Sequence, residues 1–240
     1  MQYWKGFLVA SCLALASVQI APAMQDDATP QEAKPLPAIE QERAADIGEL
    51  FLRFSRMQGL QATFVEKKYL ALLALPLKSA GQLYFLPPNY LTRMVDSPTK
   101  SKLSITPTEL RMQDPGGDEV LDLRQNPELR AFVTSLVRVF AGDRKHLEKS
   151  YAISYAHDAE HETKWSLTLT PLAKPLTEMV RYLRLDGSGA AVLSIEIREP
   201  NGDRTVTTIS DVDPERAFTD KEKLDLFGIK APAAPVEKLR

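Results

Sequence analysis

The apolar positions of this chain change period as it runs, and each change marks a different kind of element. Ile39, Ala44, Ile47, Leu50, Phe51, Phe54 and Met57 recur at spacings of mostly three and four, with charged residues between them. That spacing lays one greasy stripe along a helix, and Gly59 is its expected end. From Leu60 the period falls to two. Leu60–Tyr69, Gly81–Leu86, Tyr90–Asp96, Lys102–Thr106, Glu109–Gln113 and Glu119–Leu123 read as strands. Turn chemistry separates them at Pro87-Pro88-Asn89, Ser97-Pro98, Pro107 and Asp114-Pro115-Gly116-Gly117. A second helix follows. Asn126-Pro127-Glu128 offers a capping side chain, a first-turn proline and an early acid. Leu129, Phe132, Val133, Leu136, Val137, Val139 and Phe140 give that helix a broad apolar surface, and Gly142 closes it. Strands resume at Tyr151–Ala156, Lys164–Thr170, Met179–Asp186, Ala191–Arg198 and Thr205–Asp211, with hairpin signals at Asp186-Gly187 and Asn201-Gly202.

Many short strands with two helices exclude a parallel nucleotide-binding sheet. The expected fold is mainly β: an antiparallel sheet curled into an incomplete β-barrel, with the helices against one mouth. Leu83/Phe85, Leu103/Ile105, Leu110/Met112, Trp165/Leu167/Leu169 and Leu193/Ile195/Ile197 give the strands one oily side, opposite Gln82, Lys102, Arg111, Lys164 and Glu196. Closing such a face on itself yields either a filled core or a hollow that accepts lipid, and period alone favours the filled core. Met57, Met94, Met112 and Met179 suit an adaptable pocket and ordinary gap filling equally.

The N-terminus adds a compartment. Lys5, the apolar run Gly6–Val18 and the small-x-small site Ala21-Pro22-Ala23 form a cleavable export signal over residues 1–23, too short for a comfortable membrane span. The expected destination is the periplasm of a Gram-negative cell. Val9-Ala10-Ser11-Cys12 loosely fits the box before a lipid-modified cysteine, but the apolar run continues past Cys12, which favours a small residue inside the signal. Cleavage after Ala23 leaves no cysteine, so disulfides, thiol catalysis and cysteine-based metal sites drop out together. Residues 24–37, with three prolines and no apolar period, read as a flexible leader, 38–230 as one domain and 231–240 as a flexible tail.

Charge changes little. The formal charge of −2 moves one unit further negative when Lys5 leaves, so there is no electrostatic footprint for nucleic acid. Catalytic signatures are weak. His157-Asp158-Ala159-Glu160-His161 matches the H-x-x-E-H pattern of some zinc peptidases, which would make His157, Glu160 and His161 the working residues. That chemistry needs both histidines on one helical face, whereas the flanking segments are strand-like, so a polar hairpin loop is the simpler expectation. Gly187-Ser188-Gly189 lacks the flanks of a nucleophile elbow, there is no phosphate-cradling loop, and Asp118-Glu119 and Asp211/Asp213 read as surface charge.

Leu60-Gln61-Ala62-Thr63-Phe64-Val65-Glu66 through Pro76-Leu77-Lys78-Ser79-Ala80-Gly81-Gln82-Leu83-Tyr84-Phe85, then Pro87-Pro88-Asn89-Tyr90-Leu91 and Ser97-Pro98, resembles the periplasmic outer-membrane lipoprotein carrier family (LolA-like). Leu167-Thr168-Leu169-Thr170-Pro171 and the Phe218 to Phe227-Gly228 segment fit its C-terminal half, so the resemblance spans roughly Ala38–Pro232. Each motif is short; order and spacing carry the likeness. The resemblance implies a lid helix over a hydrophobic cavity that holds the acyl chains of a lipoprotein between an inner-membrane exporter and an outer-membrane acceptor. It implies a monomer with no cofactor, no metal and no covalent step. The oily strand face then nominates Leu83, Phe85, Met94, Leu103, Ile105, Leu110, Met112, Trp165, Leu167, Leu193 and Ile195 as cavity lining, joined by Phe132, Leu136 and Phe140 on the lid. Two positions depart from the family pattern: Pro87 stands where a lid-bonding arginine is expected, and Glu66 where a glutamine is. Arg93 lies further along the strand and does not inherit that role by position.

Overall fold

The computed structural model describes residues 43–157 and 163–230; the export segment, the leader and the tail lie outside the described residues. Helix α1 (Arg43–Ser55) leads into six strands: β1 (Leu60–Tyr69), β2 (Leu77–Leu86), β3 (Tyr90–Ser97), β4 (Ser101–Ile105), β5 (Glu109–Asp114) and β6 (Gly117–Asp122). Helix α2 (Pro127–Phe140) and the single turn α3 (Arg144–Leu147) follow. Then come β7 (Tyr151–His157), β8 (Lys164–Pro171), the turn α4 (Leu176–Met179), β9 (Tyr182–Ser188), β10 (Ala191–Arg198), β11 (Arg204–Asp213) and α5 (Asp220–Phe227).

All eleven strands form one antiparallel sheet in the order β6-β5-β4-β3-β2-β1-β11-β10-β9-β8-β7. Consecutive strands pair as hairpins, while β1 joins β11 and so unites the two halves of the chain. The sheet does not close. Its edges, β6 and β7, are joined by the α2–α3 segment, so the helix that covers the barrel is also the strap between its two borders. Inward residues from Leu110 on β5 to Leu167 on β8 share one apolar core with Leu50, Phe51 and Phe54 of α1 and Phe132, Val133 and Phe140 of α2. A curled sheet wrapped around two helices satisfies that pattern.

Local chemistry explains the element ends. Helix α1 stops at Ser55, before Gly59, which instead forms a bridge to Glu215. Asn126 does not cap α2 with its side chain; its amide donates back to the Asp122 carbonyl at 2.9 Å. The C-terminus of α2 carries a Schellman arrangement: the Asp143 N–H reaches the Arg138 carbonyl at 2.9 Å and the Gly142 N–H reaches Val139 at 3.1 Å. Gly142 has φ +70°, and a Cβ there would lie 2.4 Å from the Phe51 carbonyl of α1. Gly142→Val should therefore cost at least about 1 kcal/mol from the backbone alone, more once α1 is pushed away. Thermal unfolding of the variant measures it, and an unchanged midpoint would remove the proposed close approach.

Gly187 belongs to β9 rather than to a turn, paired with Trp165 on one side and Val192 on the other, and a Cβ there would lie 2.2 Å from the Trp165 indole. The chain turns at Gly189-Ala190 instead. Helix α5 was not expected from apolar period. A capping box signals it: the Thr219 hydroxyl accepts the Glu222 N–H at 3.3 Å, while the Glu222 carboxylate accepts the Thr219 N–H at 2.8 Å. The helix covers the outer face of β3 and β4, where the Thr92 hydroxyl donates to the Leu226 carbonyl at 2.8 Å and Phe227 meets Phe218 and Tyr90 edge-on. No described helix is long and apolar enough to cross a membrane.

Candidate functional site

Strand register decides which side chains face inward. Leu60, Ala62 and Phe64 on β1 lie opposite Phe85, Leu83 and Gly81 on β2. Leu83 and Phe85 in turn oppose Arg93 and Leu91 on β3. The same phase carries Leu103 and Ile105 on β4, Leu110 and Met112 on β5, Trp165 and Leu167 on β8, and Ile195 on β10 to the concave side. Phe132 and Phe140 of α2 are buried against this surface, and Leu136 packs on it half-buried.

Two nominated residues sit elsewhere. Met94 lies on the outer face, because Leu91, Arg93 and Val95 hold the inward phase of β3. Leu193 is 41% exposed and also faces outward. A register irregularity between Val192 and Ser194 adds a residue there, so Val192 takes the inward position that simple alternation assigns to Leu193.

Among the described residues the interior is closely packed. The Phe140 ring lies 5.7 Å from Phe85, and Phe54 of α1 meets the Trp165 ring edge-on at 5.8 Å. A cavity of about 10 Å³ remains beneath Phe140, lined by Met57, Leu60, Val192, Ile209 and Val212 among others. That is room for a single water and far less than an acyl chain needs. Helix α2 lies against the sheet, and its side chains occupy the space between them. Tyr151 on edge strand β7 is buried, and that burial pushes its hydroxyl up from the ordinary range.

Further along β1 the concave face turns polar. Glu66 and Arg93 pair at 3.0 Å with side chains only 1% and 5% exposed. Arg93 also donates to the Ser79 hydroxyl at 3.0 Å, the Thr207 hydroxyl donates to Glu66 at 3.1 Å, and the guanidinium stands 4.2 Å over the Phe64 ring. Burial pushes the Glu66 carboxyl above its ordinary range, opposed by Arg93, Thr207, Lys68 and Ser79. Beyond it, burial pushes the Lys68 ammonium down, with Glu199 and Asp203 opposing, and pushes the Glu199 carboxyl up, with Lys68 opposing. Sequence reasoning met Glu66 and Arg93 only as departures from a pattern. The available signal was phase: in Ala62-x-Phe64-x-Glu66-x-Lys68 the charges continue the apolar alternation, which predicts buried, partnered charge.

Open clefts flank Trp165. One of about 360 Å³ lies on the outer side among Lys164, Ser166, Arg184, Asp186 and Leu193. Another of about 220 Å³ lies by Glu49, Arg53, Tyr155 and His157. His157 is the last residue of β7, opposite Trp165, so the H-x-x-E-H run begins on a strand rather than a helix. Asp158–His161 lie outside the described residues. Among the described residues no group of three or more His, Cys, Asp and Glu is placed to hold a metal.

With this geometry in place, the comparisons concern the whole domain. The family described as outer membrane lipoprotein carrier protein LolA-like matches residues 39–224. Among solved structures the chain is similar to a DUF1329 family protein from Desulfovibrio piger, at 11% identity and TM-score 0.45, covering 75% of this chain and 95% of that one. It is similar to a LolA superfamily protein from Nitrosomonas europaea, at 13% identity and TM-score 0.39, covering 74% and 96%. The Pseudomonas aeruginosa MucA/MucB complex gives 12% identity and TM-score 0.43, covering 73% of this chain and 59% of that one. No curated protein sequence matches.

Proposed function

We propose, for a chain that belongs to the outer membrane lipoprotein carrier protein LolA-like family, a non-enzymatic periplasmic carrier that takes the acyl chains of a lipoprotein or related lipid under its lid. The observation that carries the reading is the broad apolar part of the concave face, covered by helices rather than sealed by a closed barrel. Each acyl methylene removed from water contributes about 0.8 kcal/mol, so a chain of ordinary length is driven strongly into such an interior. Cargo enters by displacing α1 and α2 from the sheet, exchanging side-chain packing for acyl packing of the same chemistry. Reversible loading then needs no covalent step. An inner-membrane exporter and an outer-membrane acceptor complete the route.

Close packing among the described residues, with a hollow of about 10 Å³ beneath Phe140, is the observation that favours a second reading, an envelope scaffold or interaction protein that handles no lipid. One experiment separates them. A fluorescent fatty acid titrated into the purified protein should bind saturably, and organic extraction followed by mass spectrometry should release acyl lipid. Leu136→Glu, a charge on a half-buried lid position, should reduce probe affinity at least about tenfold, a loss of roughly 1.4 kcal/mol, while the far-ultraviolet circular dichroism stays that of the parent. Absence of saturable uptake together with an extract free of lipid would establish the scaffold.

A further inference from the structure

We infer that the loop between β1 and β2 docks this protein onto the surface of an anionic lipid bilayer. Leu70-Ala71-Leu72-Leu73-Ala74-Leu75-Pro76-Leu77 runs without one polar side chain. Leu72 is 97% exposed, Leu75 70% and Leu73 39%, and Ala71 and Ala74 are exposed beside them. Hairpin tips ordinarily carry glycine, asparagine, aspartate or serine. A contiguous leucine surface held in water at a tip is the inverse of that chemistry and marks an interaction site.

The loop is built to project. The Leu73 N–H closes a turn on the Leu70 carbonyl at 3.0 Å, and the Ala71 N–H is held at 2.9 Å by the Asp203 carboxylate on the neighbouring β10–β11 turn. Behind the tip stands a belt of cations. Lys67 and Lys78 face each other across the β1–β2 ladder, both exposed. Arg204 lies opposite Tyr69 with its guanidinium 4.5 Å over that ring, and Arg198 lies opposite Arg204 on the next strand. Of the acids at this rim, Asp203 is engaged by the loop amide and Glu199 is buried beside Lys68. An apolar tip backed by cations complements a bilayer with anionic headgroups: the leucines reach the acyl boundary while the lysines and arginines stay at the phosphates. An apolar protein groove would be satisfied by the leucines alone, and the belt therefore selects lipid. This goes beyond carriage of cargo and uses a different part of the molecule.

Sedimentation of the purified chain with vesicles of phosphatidylethanolamine and phosphatidylglycerol tests it. The parent should co-sediment, and the binding should weaken with added salt. The double variant L72D/L75D should lose at least about tenfold in affinity, and K67E/K78E should bind several-fold more weakly than the parent. Both should keep the parental circular dichroism and fatty-acid uptake in solution. Absence of parental binding, or undiminished binding by folded L72D/L75D, would overturn the inference, as would equal binding to pure phosphatidylcholine vesicles. Loss of fatty-acid uptake in the parent with vesicle binding intact would instead remove the carrier reading and leave the docking loop standing.

Discussion

Arg93→Leu is expected to lower the unfolding free energy by about 3–5 kcal/mol, the usual cost of stranding one member of a buried ion pair. At roughly 2–4 °C per kcal/mol for a chain of this size, the unfolding midpoint should fall by about 10 °C. Glu66 would keep its burial and its Ser79 and Thr207 contacts while losing the charge that answers it. Adding Glu66→Gln to Arg93→Leu should return much of the loss, because the stranded charge is the costly part. A double-mutant cycle by denaturant unfolding measures this, and a loss under about 1 kcal/mol for Arg93→Leu would refute a structural role for the pair. The pH response has a definite sign. The folded pKa of Glu66 is raised above its ordinary 4.5, so below that value folded and unfolded chains both hold the proton. As pH rises, the unfolded chain ionises first, and the stability that Glu66 contributes is lost as pH passes its folded pKa. Glu66→Gln should remove that segment of the stability–pH curve.

Phe85→Ala is the second large effect, and it cuts two ways. Phe85 is fully buried against Phe140, and truncation of such a ring costs about 3–5 kcal/mol. The vacated volume adjoins the small hollow that Phe140 already borders. If the interior is a place for acyl chains, the variant should be less stable yet bind a short-chain fatty-acid probe more tightly than the parent, since less side chain must be displaced. Calorimetry gives the first quantity and fluorescence titration the second. A destabilised variant with no gain in uptake would favour the filled-core scaffold.

Much of the architecture was legible because period two is hard to counterfeit across eleven strands. Leu60–Tyr69 and Ala191–Arg198 run between the residues that alternation and turn chemistry predict. The failures have local causes. Leu193 was misplaced because one bulge reverses the phase of everything beyond it, and a bulge leaves no mark in an apolar alternation. Met94 was misplaced because Leu91 and Val95 hold the inward phase of β3 with buried Arg93 between them, which leaves Met94 half-buried on the other side. Gly187 looked like half of a turn, whereas its missing side chain is what admits an indole from the next strand. Whether the oily face encloses space was never in the sequence, since filling and hollowing use the same residues and differ only in volume.

The continuity of α2 with both sheet borders has a mechanical consequence. A cover hinged on one side can swing away and leave its vessel unchanged, but this one is stitched to β6 at one end and, through α3, to β7 at the other. Lifting it pulls on both rims at once. If the protein carries a guest, uncovering and widening are a single movement, and the girth of that guest, rather than the depth of a preformed slot, sets how far the wall spreads.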